Sequence, residues 1–189
     1  MRYKNTTGDC TGLAIATAIN KRFNVEIPHE AVEDFYARHD WTVRGARMIN
    51  ALETLKEDNL FGYKVNNYKL TFHDGSSKNP AKEVRMAMGH PHTDLLMEMW
   101  IRKRRAGKSK IPLDDLFYYA PQGEIDFKSH ALFVDSYDFM EDRHVPLGIR
   151  LVNNWGQEWG LGGDFFMTFQ QMHTEVCQLF EVEFIKVNV

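Results

Sequence analysis

The first third of the chain repeats apolar positions with the period of an α-helix. Residues 11–20 carry no charged side chain and are mostly apolar, so we predict a helix at 10–20 that is buried on all sides. Two amphipathic helices follow. One starts at Pro28, where proline is tolerated, and the other runs from about Ala46 to Asn59. This part of the chain is therefore predicted to be helical.

From residue 60 onward the period changes to that of half-buried strands. Alternation at 61–65 and 68–72 predicts strands, and so do the β-branched and aromatic residues at 131–137, 147–152, 164–169 and 179–187. A short helix is expected at 81–88, whereas the apolar run at 95–101 fits a helix or a buried strand equally well. Helices followed by strands predict an α+β fold. We expect one domain over 1–189, with a mainly helical lobe at 1–59 and a mainly β lobe at 60–189.

Composition narrows the function classes. A net charge of −3 and a pI near 6.2 argue against a general nucleic-acid-binding protein. The basic stretch from Arg102 to Lys110 lacks interleaved aromatic residues and is interpreted as a surface excursion, whose partner, if any, stays open. Because there is no signal-peptide pattern, no apolar run of about 18 residues and only two distant cysteines, we expect a cytoplasmic protein without a membrane span or a disulfide.

Cys10 is placed where a reactive thiol would be expected. Gly8 and Asp9 form a turn-and-cap signal before the first helix, so Cys10 should lie in its first turn. The free backbone amides and the helix dipole at that position lower a thiol pKa. A lone cysteine beside an apolar helix is nevertheless more often a packing residue. A catalytic role therefore requires a base and an orienting group elsewhere in the chain.

Two patterns in the strand-rich half supply such groups. His130 opens an apolar strand, and Asn153 precedes a tryptophan- and glycine-rich turn that contains Trp155 and Trp159. His130 follows Cys10 by 120 residues and Asn153 follows it by 143, against roughly 130–150 in enzymes that combine these groups. Each residue alone fits an ordinary structural role in a core or a turn. Their joint order and spacing favour a catalytic set.

Together these residues resemble the papain family of cysteine peptidases, in which Gly-x-Cys opens the central helix, His-Ala opens a strand and Asn-x-Trp-Gly-x-x-Trp-Gly follows. The resemblance implies a two-lobed papain-like fold with the active-site cleft between the helical and antiparallel β-rich lobes. It implies Cys10 as nucleophile, His130 as acid/base and Asn153 as orienter. The supporting residues would be Trp155, which shields the His–Asn contact, with Trp159 and Gly8. A protein or peptide substrate and no metal or other cofactor are expected.

The chain departs from the family near its N-terminus. Lys4 stands where the family has the glutamine that helps bind the oxyanion, and Asn5, one residue nearer to Cys10, has the right donor chemistry. The backbone N–H of Cys10 would be the other donor. Thr11 and Gly12 replace the usual aromatic residue after the cysteine. Only nine residues precede Cys10, so we expect a bacterial or viral style of member without a propeptide.

The implied activity is hydrolysis of a peptide or isopeptide bond through a Cys10 thioester. Two alternatives remain. The chain is a catalytically weak or inactive papain-like module that binds a protein partner through its cleft, or it is an acyltransferase that uses the same Cys–His pair.

Overall fold

The computed structural model describes residues 3–5, 8–42, 45–102, 125–139, 146–160 and 162–187. None of the helices within these ranges is long and apolar enough to cross a membrane. The described helices are α1 (Cys10–Phe23), α2 (His29–Arg38), α3 (Met48–Glu57), α4 (Pro80–Ala87) and α5 (Phe169–Glu175). The described strands are β1 (Tyr63–His73), β2 (Asp94–Arg102), β3 (Ile125–Phe139), β4 (Pro146–Val152), β5 (Asp164–Thr168) and β6 (Val176–Lys186).

Helix α1 is the buried helix that the sequence predicts. Residues 11–16, 18 and 19 of this helix are all buried. Its first turn contacts α2 directly: the Gly12 N–H donates to the Tyr36 hydroxyl at 2.9 Å. A Cβ at position 12 would lie 2.6 Å from Tyr36 Cε2 and 2.7 Å from Val32 Cγ1. This close approach leaves no room for a larger side chain at position 12.

The strands form a single antiparallel sheet in the order β1-β6-β2-β3-β4-β5. Successive residues of a strand point to opposite faces of the sheet. Both faces are buried because helices pack against each of them. One side packs against α1 and α3, whose core α2 also joins, and we call it the helical face; the other side packs against α4 and α5. The helical face includes Leu96, Ala131, Phe133, Phe180 and Val182. The predicted α+β class is therefore confirmed.

The ambiguous run at 95–101 belongs to a strand. Strand β2 lies between β6 and β3 and is hydrogen-bonded along both edges. Leu96 packs into the core of the helical face, and Leu95, Met97 and Met99 pack into the opposite core. Because both faces of this strand are buried, the run lacks the apolar–polar alternation that identifies a strand in sequence.

Three further features differ from the sequence-based predictions. The alternating segments at 61–65 and 68–72 form one strand, β1, with irregular pairing after Val65 and Leu70. Helix α5 was not predicted, although Thr168 and Gln171 form the capping box that starts it. Strand β6 consequently begins at Val176, three residues before the predicted start.

Arg102 is the last residue of β2, and residues 103–110 of the basic stretch lie outside the described residues.

Candidate active site

Cys10 is the first residue of α1, as the sequence predicts, and its side chain is half-buried. Asp9 precedes it at the N-cap position but forms no side-chain capping bond. The Asp9 carboxylate is buried and instead pairs with His29 Nε2 at 2.6 Å, at the start of α2. The prediction that Asp9 caps α1 is therefore wrong, because packing against α2 turns its side chain away from the helix amides.

The surroundings of the thiol do not match the expected thiolate site. Burial raises the pKa of Cys10, and the carboxylates of Glu98 and Asp9 raise it further. Hydrogen bonds from the Ala131 backbone and the Thr11 side chain oppose this effect. The desolvation cost outweighs the helix terminus on which the sequence argument relied. Cys10 is therefore a neutral thiol at pH 7.

The antiparallel pairing of β3 with β4 brings His130 and Asn153 together. His130 Nε2 lies 2.7 Å from Asn153 Oδ1, and both side chains are buried. The Asn154 backbone N–H also donates to Asn153 Oδ1, at 2.8 Å, which identifies this atom as the amide oxygen. Since an amide oxygen only accepts, His130 Nε2 must carry the proton. The other ring nitrogen, Nδ1, is then unprotonated and able to act as a base.

Trp155 covers the imidazole. Its ring stacks on His130 with 4.6 Å between centroids and an interplanar angle of 27°. Trp159 meets Trp155 edge-on at 4.9 Å and Phe165 at 5.5 Å, so the indole is itself supported by an aromatic group. Burial lowers the pKa of His130 to about 4, although the hydrogen bond to Asn153 acts in the opposite direction. The imidazole is therefore neutral at pH 7.

Asn154, which the sequence analysis did not single out, joins the helix to the sheet. Its Nδ2 donates to the Cys10 carbonyl at 3.1 Å and to the Ala131 carbonyl at 3.2 Å. Ala131 follows His130, and its backbone is also the group that hydrogen-bonds to the Cys10 sulfur. One amide group therefore holds the first turn of α1 beside the strand that carries His130. Its position between Asn153 and Trp155 was the feature of the sequence that could have identified Asn154 as a site residue.

The N-terminal segment runs beside the same turn. The Asn5 backbone N–H donates to the Asn154 carbonyl at 2.5 Å, and Lys4 pairs with Trp155 in an isolated bridge. Asn5 Oδ1 accepts the Gly8 N–H at 3.0 Å, which leaves the Nδ2 group of Asn5 unused by this turn. Lys4 is exposed. Gly8 has a φ of +84°, a conformation that favours glycine.

The chemistry of the cluster follows from these positions. A thiol at a helix N-terminus contacts the residue that follows a neutral histidine, and an asparagine and a tryptophan hold that histidine in one tautomer and orientation. The cluster thus contains a thiol, a neutral imidazole and a group that orients the imidazole, which are the groups that cysteine nucleophilic catalysis uses. Among the described residues, no group of three or more histidine, cysteine, aspartate or glutamate side chains is arranged to hold a metal ion.

Comparison with known proteins reveals similarity in structure alone. No protein-family model matches the sequence, and no curated protein is detectably similar to it. Xylellain, a cysteine protease from Xylella fastidiosa, superimposes with a TM-score of 0.64 at 15% identity, over 96% of this chain and 82% of that one. ProCathepsin B S9 from Trypanosoma congolense superimposes with a TM-score of 0.60 at 10% identity, over 99% and 71% of the two chains.

A structure from work on the mite allergens Blo t 1 and Der p 1 gives a TM-score of 0.60 at 14% identity, over 97% of this chain and 66% of that one. At such identities the likeness establishes the fold. The roles of individual residues rest on the geometry described above.

Proposed function

We propose that this chain, whose fold is papain-like, is a cysteine peptidase that cleaves a peptide or isopeptide bond through a Cys10 thioester. The observation that carries the proposal is the buried His130–Asn153 hydrogen bond under Trp155, next to the strand residue that contacts the Cys10 sulfur. This combination provides a nucleophile, a base and an orienting group, which amide cleavage requires.

In the first half of the reaction His130 Nδ1 accepts the proton of the Cys10 thiol as the sulfur attacks the substrate carbonyl carbon. A C–S bond forms and the carbonyl oxygen becomes an oxyanion. The imidazolium then gives its proton to the leaving nitrogen, the C–N bond breaks, and the amine departs. Asn153 accepts the Nε2–H bond throughout, which leaves Nδ1 as the ring nitrogen that exchanges the proton.

In the second half a water molecule attacks the thioester carbonyl. His130 Nδ1 takes a proton from this water, the C–S bond breaks, and the proton returns to the departing sulfur. The products are a carboxylic acid and the regenerated Cys10 thiol. The same imidazole therefore acts as base and then as acid in each half.

For the oxyanion we propose two donors, the Cys10 backbone N–H and the Asn5 Nδ2 group. The N–H of the first residue of α1 has no partner within the helix. Asn5 Nδ2 is free of the turn that engages Asn5 Oδ1, and Asn154 ties the Asn5 backbone to the segment that also bonds Cys10. The exposed Lys4 is the weaker choice.

The test is site-selective labelling by a peptidyl acyloxymethyl ketone, with the modified cysteine identified by peptide mapping. We expect folded protein to be labelled at Cys10 much faster than denatured protein. His130→Ala should lower the rate by roughly 10²–10⁴ because the base is lost. His173→Ala removes an exposed histidine of α5 and serves as the matched control. Equal labelling of folded and denatured protein, with no effect of His130→Ala, would refute catalysis.

A papain-like binding module is the second candidate, and the protonation states favour it. Burial raises the pKa of the Cys10 thiol and lowers that of His130, so the pair is neutral rather than a preformed thiolate–imidazolium pair. A protein that only binds a partner through the cleft needs no thiolate. The labelling experiment separates the two candidates, because a binding module gives no rate advantage to Cys10.

A further inference from the structure

Glu98 is a buried carboxylate that none of the proposed steps uses. It lies on β2 with 8% of its surface exposed, and its Oε1 accepts the Met48 N–H at 2.9 Å at the start of α3. Among the residues that the structure describes, no cation lies within ion-pair distance of it. Burial raises the pKa of Glu98, and the exposed Arg47 opposes this shift through space. Since buried carboxylates are normally paired, the ionised form of Glu98 lacks a close counter-charge within the described ranges.

The position of Glu98 in the sheet places it beside the nucleophile. It lies directly opposite Ala131 on β3, and opposite residues of an antiparallel pair share a face. Glu98 therefore lies on the helical face, next to the residue whose backbone contacts the Cys10 sulfur.

A second connection comes from the start of α3. The Thr11 hydroxyl donates to the Ala46 carbonyl at 2.7 Å, two residues before the Met48 amide that Glu98 holds. The first turn of α1 thus contacts the segment that leads into α3, and Glu98 holds the first amide of that helix.

We propose that Glu98 determines the specificity of the site by binding a cationic side chain, lysine or arginine, of a substrate residue that adjoins the scissile bond. This inference rests on the proposed peptidase function. The substrate cation supplies the counter-charge that the described part of the chain does not place there. In a partly desolvated site such a pair discriminates strongly against neutral and acidic side chains.

The same pairing acts on the sulfur. The negative charge of Glu98 opposes formation of the Cys10 thiolate and also raises the pKa of Cys177, while Arg47 is the cation that acts on Glu98 itself. A bound substrate cation cancels this charge. A cationic substrate then gains in two ways, because it binds more tightly and because it makes the Cys10 sulfur more reactive. A neutral peptide leaves the thiol protonated.

The test uses dipeptidyl acyloxymethyl ketones that carry lysine, norleucine or glutamate at either of the two residues before the reactive carbonyl. Second-order rate constants for Cys10 labelling are measured on the wild type and on Glu98→Gln. Glutamine keeps an acceptor for the Met48 N–H, so the start of α3 is retained. Glu83→Gln is the matched control, because Glu83 is also 8% exposed but lies on α4, 3.9 Å from Lys78 Nζ.

We expect the wild type and Glu83→Gln to react roughly tenfold faster with the best lysine probe than with its norleucine counterpart, the effect of one pKa unit of interaction. In Glu98→Gln this ratio should fall to about one, and the norleucine probe should react faster than with the wild type at pH 7.

An unchanged lysine-to-norleucine ratio in Glu98→Gln would overturn the role of Glu98 while leaving the peptidase proposal intact. If Glu98→Gln does not fold, the wild type still decides, because equal rates for the lysine and glutamate probes exclude a carboxylate that selects cations. Failure of every probe to label Cys10 faster than in denatured protein would instead refute the peptidase function, and this inference with it.

Discussion

The two ends of the candidate site are built differently. At the base end, His130 and Asn153 are 4% and 2% exposed and bonded to each other at 2.7 Å beneath a stacked indole. At the nucleophile end, a half-buried cysteine lies two residues after a glycine with positive φ, and two buried carboxylates raise the pKa of its thiol. The imidazole is thus oriented by residues of the turn that follows β4. The reactivity of the thiol depends on surrounding charge, which a substrate can change.

The largest expected effect lies at the nucleophile end. Asn5→Ala should lower turnover of a fluorogenic peptide by roughly 10²–10³ if Asn5 Nδ2 binds the oxyanion, and Lys4→Ala should have a far smaller effect. Asn5→Asp is the matched control, because aspartate keeps the acceptor for the Gly8 N–H but has no donor. Activity restored by Asn5→Asp would assign the loss to the turn. A greater loss from Lys4→Ala would move the donor to Lys4.

The next effect concerns the base end and pH. The pKa of His130 is about 4 in the folded protein and near 6.5 when unfolded. Between these values the unfolded chain binds the extra proton, so stability is present above pH 6.5 and is lost as the pH falls toward 4. We expect this histidine to account for a loss on the order of 3 kcal/mol.

Urea unfolding at pH 4 to 7 of the wild type and His130→Gln measures that loss. The variant cannot titrate at this position, so its stability should fall less over the same range. Parallel curves for the two proteins would show that His130 is not held neutral by burial, and the difference between the two ends of the site would shrink.

The smallest effect tests the connection between the ends. Asn154→Ala leaves the Cys10 and Ala131 carbonyls without their shared donor and should cost about 1–3 kcal/mol of unfolding free energy. Asn66→Ala, which removes an exposed bond to Glu183, is the control and should change stability by less than about 0.5 kcal/mol. Equal small losses in the two variants would mean that other packing holds α1 against β3.

Much of the architecture is encoded in local patterns. The uncharged run after Cys10 predicts a buried helix, and the change of period near residue 60 predicts the sheet, because a helix and a strand each impose their own spacing on buried residues. The types and order of Cys10, His130 and Asn153 carry the candidate chemistry. These features depend on residues that are close in the sequence or on residue identity, so the sequence alone predicts them.

Packing between distant segments decided the rest. The run at 95–101 became a strand because β3 and β6 flank it, and Asp9 turned to His29 instead of capping its own helix. Burial set the protonation of Cys10 and His130, since the cost of desolvating a charge depends on every element packed around it. The sequence by itself thus determined which candidate groups the chain offers, and only the tertiary structure decided their charge states and paired Glu98 with Ala131, whose backbone contacts the Cys10 sulfur.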